Sequence, residues 1–122
     1  AVICQFPFYW RSAPALLKKW QDEVFTFLSK TPAVAGKPLT VVTTTGSEYE
    51  AYRSGGRNRF TTDELLRPYQ VSAIHSGMSW QTPIVVYGMG TADAGKNIAE
   101  GANLYKQRVE MLIGSSNAGN NW

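Results

Sequence analysis

Three short uncharged segments of this chain alternate with longer segments that have the pattern of amphipathic helices. The uncharged segments are residues 1–6 (AVICQF), 39–45 (LTVVTTT) and 84–87 (IVVY). Short runs of this kind, rich in β-branched residues, are typical of strands that are buried on both faces of a sheet. The resulting order β-α-β-α-β-α predicts an α/β fold in which helices cover both faces of a parallel sheet.

The first helical segment follows the first strand after a short turn. Ser12 is its expected N-cap, and Pro14 falls in the first turn, where the missing N–H costs nothing. The helix should end near Leu28. One side of it is expected to carry the apolar residues Leu16, Leu17, Trp20, Val24 and Phe25.

Two more helices are expected, one after each of the other strands. Thr61 and Glu64 have the spacing of a capping box that opens the second helix. Pro68 should kink this helix or start it afresh, and Gly77 is its expected C′ residue. The last helix should run from about Lys96 to Ile113. Residues 114–122 should then form a polar, frayed tail.

The predicted sheet looks incomplete, because three parallel strands make a poor free-standing sheet. The first of them begins at Ala1, and a strand that is buried on both faces needs neighbours at both edges. We therefore interpret residues 1–113 as the C-terminal portion of a larger α/β domain, or as a chain whose missing strands come from a partner.

Charge and composition exclude several classes of protein. Twelve basic and nine acidic residues give a net charge of +3, which is too weak and too scattered to predict nucleic-acid binding. The single cysteine, Cys4, cannot form an internal disulfide, which fits the cytoplasm. No apolar stretch is long enough for a membrane span, and no signal peptide is recognisable. The only histidine, His75, should have a surface or packing role, and we expect no metal site.

Unusual residues follow the first two strands at the point where each should end. Residues 6–10 read FPFYW after the first strand, and residues 43–47 read TTTGS after the second. Because ligands of open α/β sheets bind at the carboxyl ends of the strands, the two turns could form the walls of one crevice. A flat heteroaromatic ligand suits such a site. The alternatives are core packing beneath a loop for the first turn and an ordinary strand end for the second.

Together the motifs QFPFYWRSAPALLKKWQDEVF, VTTTGSEYEAY and GGRNRFTTDELLRP resemble those of the flavodoxin-like NAD(P)H:quinone oxidoreductases. These include ancillary subunits of potassium-efflux systems and modulator-of-drug-activity enzymes. The resemblance implies a flavodoxin-like three-layer α/β/α fold with a parallel sheet in the order 2-1-3-4-5. This chain is similar to strands 3, 4 and 5 and their helices. The first two strands, and the loop that binds the flavin phosphate, are not among its residues.

Members of this family bind FMN or FAD and act as dimers with the active site at the subunit interface. They pass a hydride from NAD(P)H to the flavin and then to a quinone, by a ping-pong route. By motif, the isoalloxazine ring would be lined by Pro7, Phe8, Tyr9 and Trp10. Hydrogen bonds to its pyrimidine edge would come from Thr43, Thr44, Thr45 and Gly46. Tyr52, or less favourably Tyr49, would help to stabilise negative charge near N1 and O2 of the reduced ring.

The chain departs from the family pattern at three places. Thr45 stands where relatives have a glycine, and a positive φ would be strained there. Residues 26–29 lack the tyrosine of a segment that covers the neighbouring subunit's ring, and Arg11 replaces an uncharged residue. The arginines Arg53, Arg57 and Arg59 could bind the phosphates of a nicotinamide cofactor, or they could belong to a solvated loop.

Two other functions remain open at this point. The chain could be a regulatory or ancillary subunit that binds a membrane transporter and has little redox activity. It could also be a fragment that binds no flavin, because the phosphate loop is missing. A flavodoxin-type electron carrier is less favoured, since those proteins are strongly acidic.

Overall fold

The middle of the sheet is β2 (Pro38–Thr44), in which every residue between the first and the last is buried. In the computed structural model, which describes residues 1–119, β1 (Val2–Pro7) pairs with β2 in parallel along its whole length. The register runs from Val2 opposite Leu39 to Pro7 opposite Thr44. The two strands therefore end side by side at the same edge of the sheet.

The other side of β2 pairs with a third strand that is interrupted. Its two pieces are β3 (Ser79–Trp80) and β4 (Ile84–Val86), and both are parallel to β2. The sequence predicts only the second piece, over residues 84–87. Pro83 lies in the gap and has no N–H to donate to a neighbouring strand, which explains why pairing lapses there.

Helices cover both faces of the sheet. The first helix begins as α1 (Ala15–Trp20), widens to a π-helix over Gln21–Phe25 and ends as α2 (Thr26–Leu28). It packs on the face that carries Cys4, Phe6 and Val41. The long helix α5 (Ala94–Gly119) packs on the opposite face. The α/β fold with a parallel sheet and helices, predicted from the alternating pattern, is confirmed.

The start and the apolar face of the first helix differ from the prediction. The N-cap position is Pro14 and no side chain caps it, because Ser12 pairs through its backbone with Tyr9. Leu16 and Val24 are 76% and 46% exposed rather than buried. Val24 lies in the π-helix, whose wider turn changes which residues face the sheet.

The second helix follows the prediction closely. It forms α3 (Thr62–Leu65) and α4 (Arg67–His75), and the Thr61–Glu64 capping box is present at its start. The chain restarts at α4 with Pro68 as the second residue, where a missing N–H is tolerated. Gly77 follows the helix with a φ of +68°, as expected of a C′ glycine.

The last helix is longer at both ends than the sequence predicts. It begins at Ala94 and continues to Gly119, so part of the stretch expected to fray is helical. Serine and asparagine disfavour a helix by only about 0.5 kcal/mol each, and extending a formed helix gains one hydrogen bond per residue. Residues 120–122 of the expected tail lie outside the described residues. Within residues 1–119, no helix is both long enough and apolar enough to cross a membrane.

Candidate functional site

The turns after β1 and β2 lie against each other, as predicted. Pro7 is opposite Thr44 at the ends of the two strands, and the Phe8 N–H donates to the Thr44 carbonyl at 2.9 Å. Tyr52 reaches the same place from the following loop, where its ring lies edge-on to Phe8 with 6.2 Å between centroids. Three of the predicted segments therefore converge at the carboxyl edge of the sheet.

The turn after β1 has an unusual backbone. Tyr9 and Ser12 exchange two N–H···O=C hydrogen bonds, and the two residues between them, Trp10 and Arg11, have φ values of +49° and +58°. Positive φ at both central positions is the pattern of a type I′ turn, which normally contains asparagine or glycine. Two bulky residues in this conformation store strain, and strain of this kind concentrates at ligand sites.

The strained turn holds its aromatic side chains in different environments. The Trp10 side chain is 90% exposed and Tyr9 is 60% exposed, whereas Phe8 is half-buried and packs against the core. Pro7 is exposed at the end of β1. The turn thus presents an indole to the outside, as a ring wall for a planar ligand would be.

The hydroxyl groups of the threonine turn have internal partners. The buried Thr43 hydroxyl donates to the Phe6 carbonyl at 2.7 Å, and the buried Thr45 hydroxyl donates to the Ser47 carbonyl at 2.8 Å. Each hydroxyl therefore gives its proton to a carbonyl of the protein, whereas the resemblance implies that both side chains bond to a flavin. Thr45 has no positive φ, so the strain expected from its replacing a glycine is absent. Thr44 is half-buried at the strand end, and its carbonyl accepts from Phe8.

Backbone groups of this turn remain available to a ligand. Among residues 1–119, no hydrogen-bond acceptor pairs with the N–H of Gly46 or of Ser47. The carbonyls of both residues are used instead, since they accept from Gly90 and Gly88 and fix the turn against the loop after β4. A Cβ on Gly46 would meet nothing within 4 Å, so the space above it is open. These amides and this space fit the polar edge of a flavin ring.

Behind Tyr52 lies a cluster of tyrosines that the sequence analysis did not identify as a unit. The ring centroid of Tyr87 is 5.9 Å from that of Tyr52 and 5.2 Å from that of Tyr49. The Tyr87 hydroxyl is 2.6 Å from the Thr62 hydroxyl, and burial raises the pKa of the Tyr87 phenol. The contact between Tyr87 and Thr62 joins the end of β4 to the start of α3. The Tyr87 ring packs against Tyr52 on the side away from Phe8.

A groove of about 530 Å³ is lined by all three tyrosines of this cluster, and neither Trp10 nor Gly46 lines it. Its walls include Tyr52, Tyr87, the β4 residues Ile84 and Val85, and Arg108 of α5. Arg108 donates to the Thr82 carbonyl at 2.5 Å and thereby fixes α5 against the gap between β3 and β4. The exposed indole and the unpaired amides lie at the converging turns rather than along this groove.

The arginines after β2 have different partners. Arg57 forms a two-pronged ion pair with Glu48, with contacts of 2.5 and 3.0 Å, which lowers the pKa of Glu48. The guanidinium of Arg53 lies 5.5 Å from the centre of the Tyr49 ring. Arg59 has a φ of +61°. Of these three arginines, Arg57 is the one whose charge is neutralised, because it is paired with Glu48.

Arg11 makes a contact that the sequence did not indicate. Its Nη2 donates to Oδ1 of Asn58 at 2.8 Å, which joins the Trp10–Arg11 turn to the loop after β2. Nδ2 of Asn58 is enclosed and has no acceptor in the described part of the chain. Asparagine is common in loops, so nothing in the sequence alone distinguished this one.

Cys4 and His75 lie in different environments. Burial raises the pKa of the Cys4 thiol, which makes it a small apolar side chain of the core rather than a nucleophile. His75 is exposed at the end of α4. Across residues 1–119, no group of three or more potential ligands is arranged to hold a metal ion.

The role of the Thr43 hydroxyl can be tested by Thr43→Val. Because the hydroxyl is buried and bonded within the protein, we expect the free energy of unfolding to fall by about 1–2 kcal/mol. Flavin affinity should stay within about twofold, since no ligand contact is removed. Chemical denaturation and a lumiflavin titration measure the two quantities. A large loss of flavin affinity without a loss of stability would show that the Thr43 hydroxyl contacts the ligand.

Several known proteins are similar in sequence to this chain. It is 41% identical over 114 residues to general stress protein 14 of Bacillus subtilis, covering 90% of this chain and 65% of the relative. It is 38% identical to an uncharacterized NAD(P)H oxidoreductase, YdeQ, of the same organism, covering 91% and 58%. It is 42% identical over 90 residues to the potassium-efflux ancillary protein KefG of Pectobacterium atrosepticum, covering 70% and 49%. The chain thus spans about half to two thirds of the length of these relatives.

Solved structures of similar fold carry several different descriptions. A Treponema denticola general stress protein 14 in complex with FMN has a TM-score of 0.80 at 28% identity, over 92% of this chain and 66% of that one. An NADPH-quinone reductase from P. pentosaceus has a TM-score of 0.70 at 33% identity, over 81% and 62%. A chain described as a thermophilic tryptophan halogenase has a TM-score of 0.79 at 40% identity, over 88% and 64%.

The parallel sheet, the helices on both faces and the two adjoining turns agree with these likenesses. The sequence model described as "Flavodoxin-like fold" matches residues 1–109, which is most of the chain. The chain belongs to this flavodoxin-like family.

Proposed function

We propose that this chain is the portion of an NAD(P)H:quinone oxidoreductase that holds the flavin ring, with FMN as the favoured flavin. The observation that carries the proposal is the convergence of the exposed Trp10 ring, the open space above Gly46 and the unpaired Gly46 and Ser47 amides at one sheet edge. Relatives described as an NAD(P)H oxidoreductase, an NADPH-quinone reductase and an FMN complex support it.

The chemistry of hydride transfer belongs to the flavin, which when bound would take a hydride from a nicotinamide and deliver it to a quinone in a ping-pong cycle. The chain's own residues orient the ring. Pro7, Phe8, Tyr9 and Trp10 form one wall, and the amides of Gly46 and Ser47 bind its polar edge. The Thr45 hydroxyl holds that turn in shape through its hydrogen bond to the Ser47 carbonyl.

Tyr52 is the side chain that we assign to charge stabilisation. Its ring is 6% exposed and lies between Phe8 and Tyr87, so its position is fixed on both sides. A phenol held at this edge would donate a hydrogen bond to negative charge on a reduced ring. No other side chain of the converging turns combines a hydroxyl with this degree of support.

The exposed apolar residues of the first helix suggest an assembly. Leu16 is 76% exposed, Val24 46% and Phe27 69%, and they lie on a helix that follows the aromatic turn directly. We propose that this surface forms part of a homodimer interface next to the flavin site. The cytoplasm is the proposed compartment, since the lone buried Cys4 needs no oxidising environment.

The proposed function is tested by flavin binding and by turnover. FMN and lumiflavin, which has the ring without the phosphate, are titrated into the purified chain and their fluorescence is followed. We expect both to be quenched, and we expect NAD(P)H oxidation to depend on added quinone when flavin is present. Binding of FMN and lumiflavin with no quinone-dependent turnover would contradict the enzymatic proposal.

A regulatory role is the second candidate, and the similarity to KefG favours it. In that case the chain would bind a membrane transporter and any redox activity would be secondary. A chain that binds flavin, lacks quinone-dependent turnover and co-purifies with a co-expressed potassium-efflux transporter would have this function. Absence of lumiflavin binding would instead indicate that these residues alone do not hold a flavin.

A further inference from the structure

The exposed indole of Trp10 is bordered by positive charge. The guanidinium carbon of Arg11 lies 6.0 Å from the centre of the Trp10 ring, and Arg53 and Arg59 follow on the neighbouring loop. We call Arg11, Arg53 and Arg59 the arginine rim. In the part of the chain that the structure describes, none of the three has a carboxylate within ion-pair distance.

The carboxylates near the rim do not cancel its charge. Glu48 is paired with Arg57, so these two residues neutralise each other. Glu50 is exposed on the same loop, and it is the one carboxylate between β2 and α3 that is not paired with Arg57. It stands against the three positive charges of Arg11, Arg53 and Arg59. The positive charge that lies directly beside the open ring is that of Arg11, and it attracts anions.

A hydrogen bond to one side chain positions the Arg11 guanidinium and occupies only one of its N–H donors. Its Nη2 donates to Oδ1 of Asn58 at 2.8 Å, and this contact fixes the amide so that Nδ2 points into an enclosed position. A guanidinium has five N–H donors, and the structure gives Arg11 one side-chain acceptor. The remaining donors can make charge-assisted hydrogen bonds to an oxyanion. Asn58 is therefore a positioning residue for Arg11.

The backbone of the turn gives independent support. Trp10 and Arg11 both have a positive φ, in a two-residue turn where asparagine and glycine would be relaxed. The conformation places the indole and the guanidinium next to each other at the sheet edge. A strained turn that presents two recognition groups together, both exposed, is typical of a ligand contact.

We propose that Arg11, oriented by Asn58, binds an anionic substituent of a planar ligand at the Trp10 end of the site, and so gives the site a preference for anionic ligands. The chemical class is an aromatic ring with a sulfonate, carboxylate or phosphate group. Either the electron acceptor or the phosphate of a nicotinamide dinucleotide could carry that group. The inference deepens the proposed function, because it concerns the substrates of the same site.

Binding of non-reacting probes tests the proposal without flavin or turnover. Calorimetry compares naphthalene-2-sulfonate with 2-naphthylmethanol, and adenosine 2′,5′-bisphosphate with adenosine. In the unaltered chain we expect the anionic member of at least one pair to bind more tightly. Arg11→Gln should weaken that member about five- to twentyfold and leave the neutral member within about twofold. Raising the salt concentration should reduce the same difference, because exposed charges are screened.

Matched variants separate charge recognition from a general effect. Arg11→Lys keeps the charge and should retain much of the preference. Lys37→Gln removes the same charge at the opposite end of β2 and should leave it unchanged. Asn58→Ala frees the Arg11 guanidinium and should reduce the preference in part, with the thermal midpoint of each variant recorded as a check on folding.

The two pairs of probes identify the source of the anion. Loss confined to the naphthalene pair assigns Arg11 to the acceptor, and loss confined to the adenosine pair assigns it to the dinucleotide phosphate. If folded Arg11→Gln weakens neither anion, or weakens neutral and anionic probes alike, the proposal is wrong. Failure of quinone turnover leaves these binding results intact, so the proposed function and this inference fail separately.

Discussion

Trp10→Ala should weaken the binding of lumiflavin about tenfold or more, since stacking on an aromatic side chain contributes about 1–3 kcal/mol per ring. The indole is 90% exposed, so the fold loses almost no buried surface when it is removed. Alanine also carries a Cβ at this positive φ, so the backbone strain of the turn stays about the same. The turn itself should therefore persist. The measurement is a fluorescence titration with lumiflavin, for which the phosphate-binding loop is not needed.

A control variant should distinguish loss of the ring wall from loss of any exposed apolar group. Ile74 on α4 is 65% exposed and lies near the end of that helix, toward β3. Ile74→Ala should leave lumiflavin affinity within about twofold. An unchanged affinity in Trp10→Ala would show that the flavin does not lie on this ring, and the site would have to be sought elsewhere.

Much of the fold was predictable because the strands of a parallel sheet leave a clear trace in the sequence. Val41 and its neighbours in β2 are buried on both faces, and this produces a long uncharged run. The capping box at Thr61 and the glycine at Gly77 are local signals with a direct backbone cause. The two residues of β3 were missed, since a strand that short has no periodicity to detect.

The position of the candidate site was predictable, but several of its contacts were not. Parallel neighbours end at the same edge, so the meeting of Phe8 with Thr44 follows from topology. The use of the Thr43 and Thr45 hydroxyls inside the protein depends on where carbonyls fall in three dimensions. The Trp10–Arg11 turn was missed because type I′ turns are recognised by asparagine and glycine, and this one contains neither.

The loop that carries Tyr52 depends on a close approach at Gly56. A Cβ at this position would lie 2.2 Å from the Glu50 carbonyl oxygen and 2.6 Å from that of Ala51. Both carbonyls belong to the 3₁₀ turn Tyr49–Tyr52, and the Ala51 carbonyl also accepts from the Asn58 N–H at 3.0 Å. The absence of a side chain therefore lets the loop fold back tightly enough to place its residues at the site.

Gly56→Ala should open this loop while the sheet remains folded. Backbone atoms cannot move aside as a flexible side chain can, so we expect the free energy of unfolding to fall by about 1–3 kcal/mol. Lumiflavin affinity should fall about tenfold or more, because Tyr52 and Asn58 are displaced together. Gly95→Ala, where a Cβ meets nothing within 4 Å, is the matched control and should be neutral or slightly stabilising. Thermal unfolding and the titration give both quantities for each variant. If Gly56→Ala kept its stability and its affinity, the close approach would not be what holds Tyr52 against Phe8.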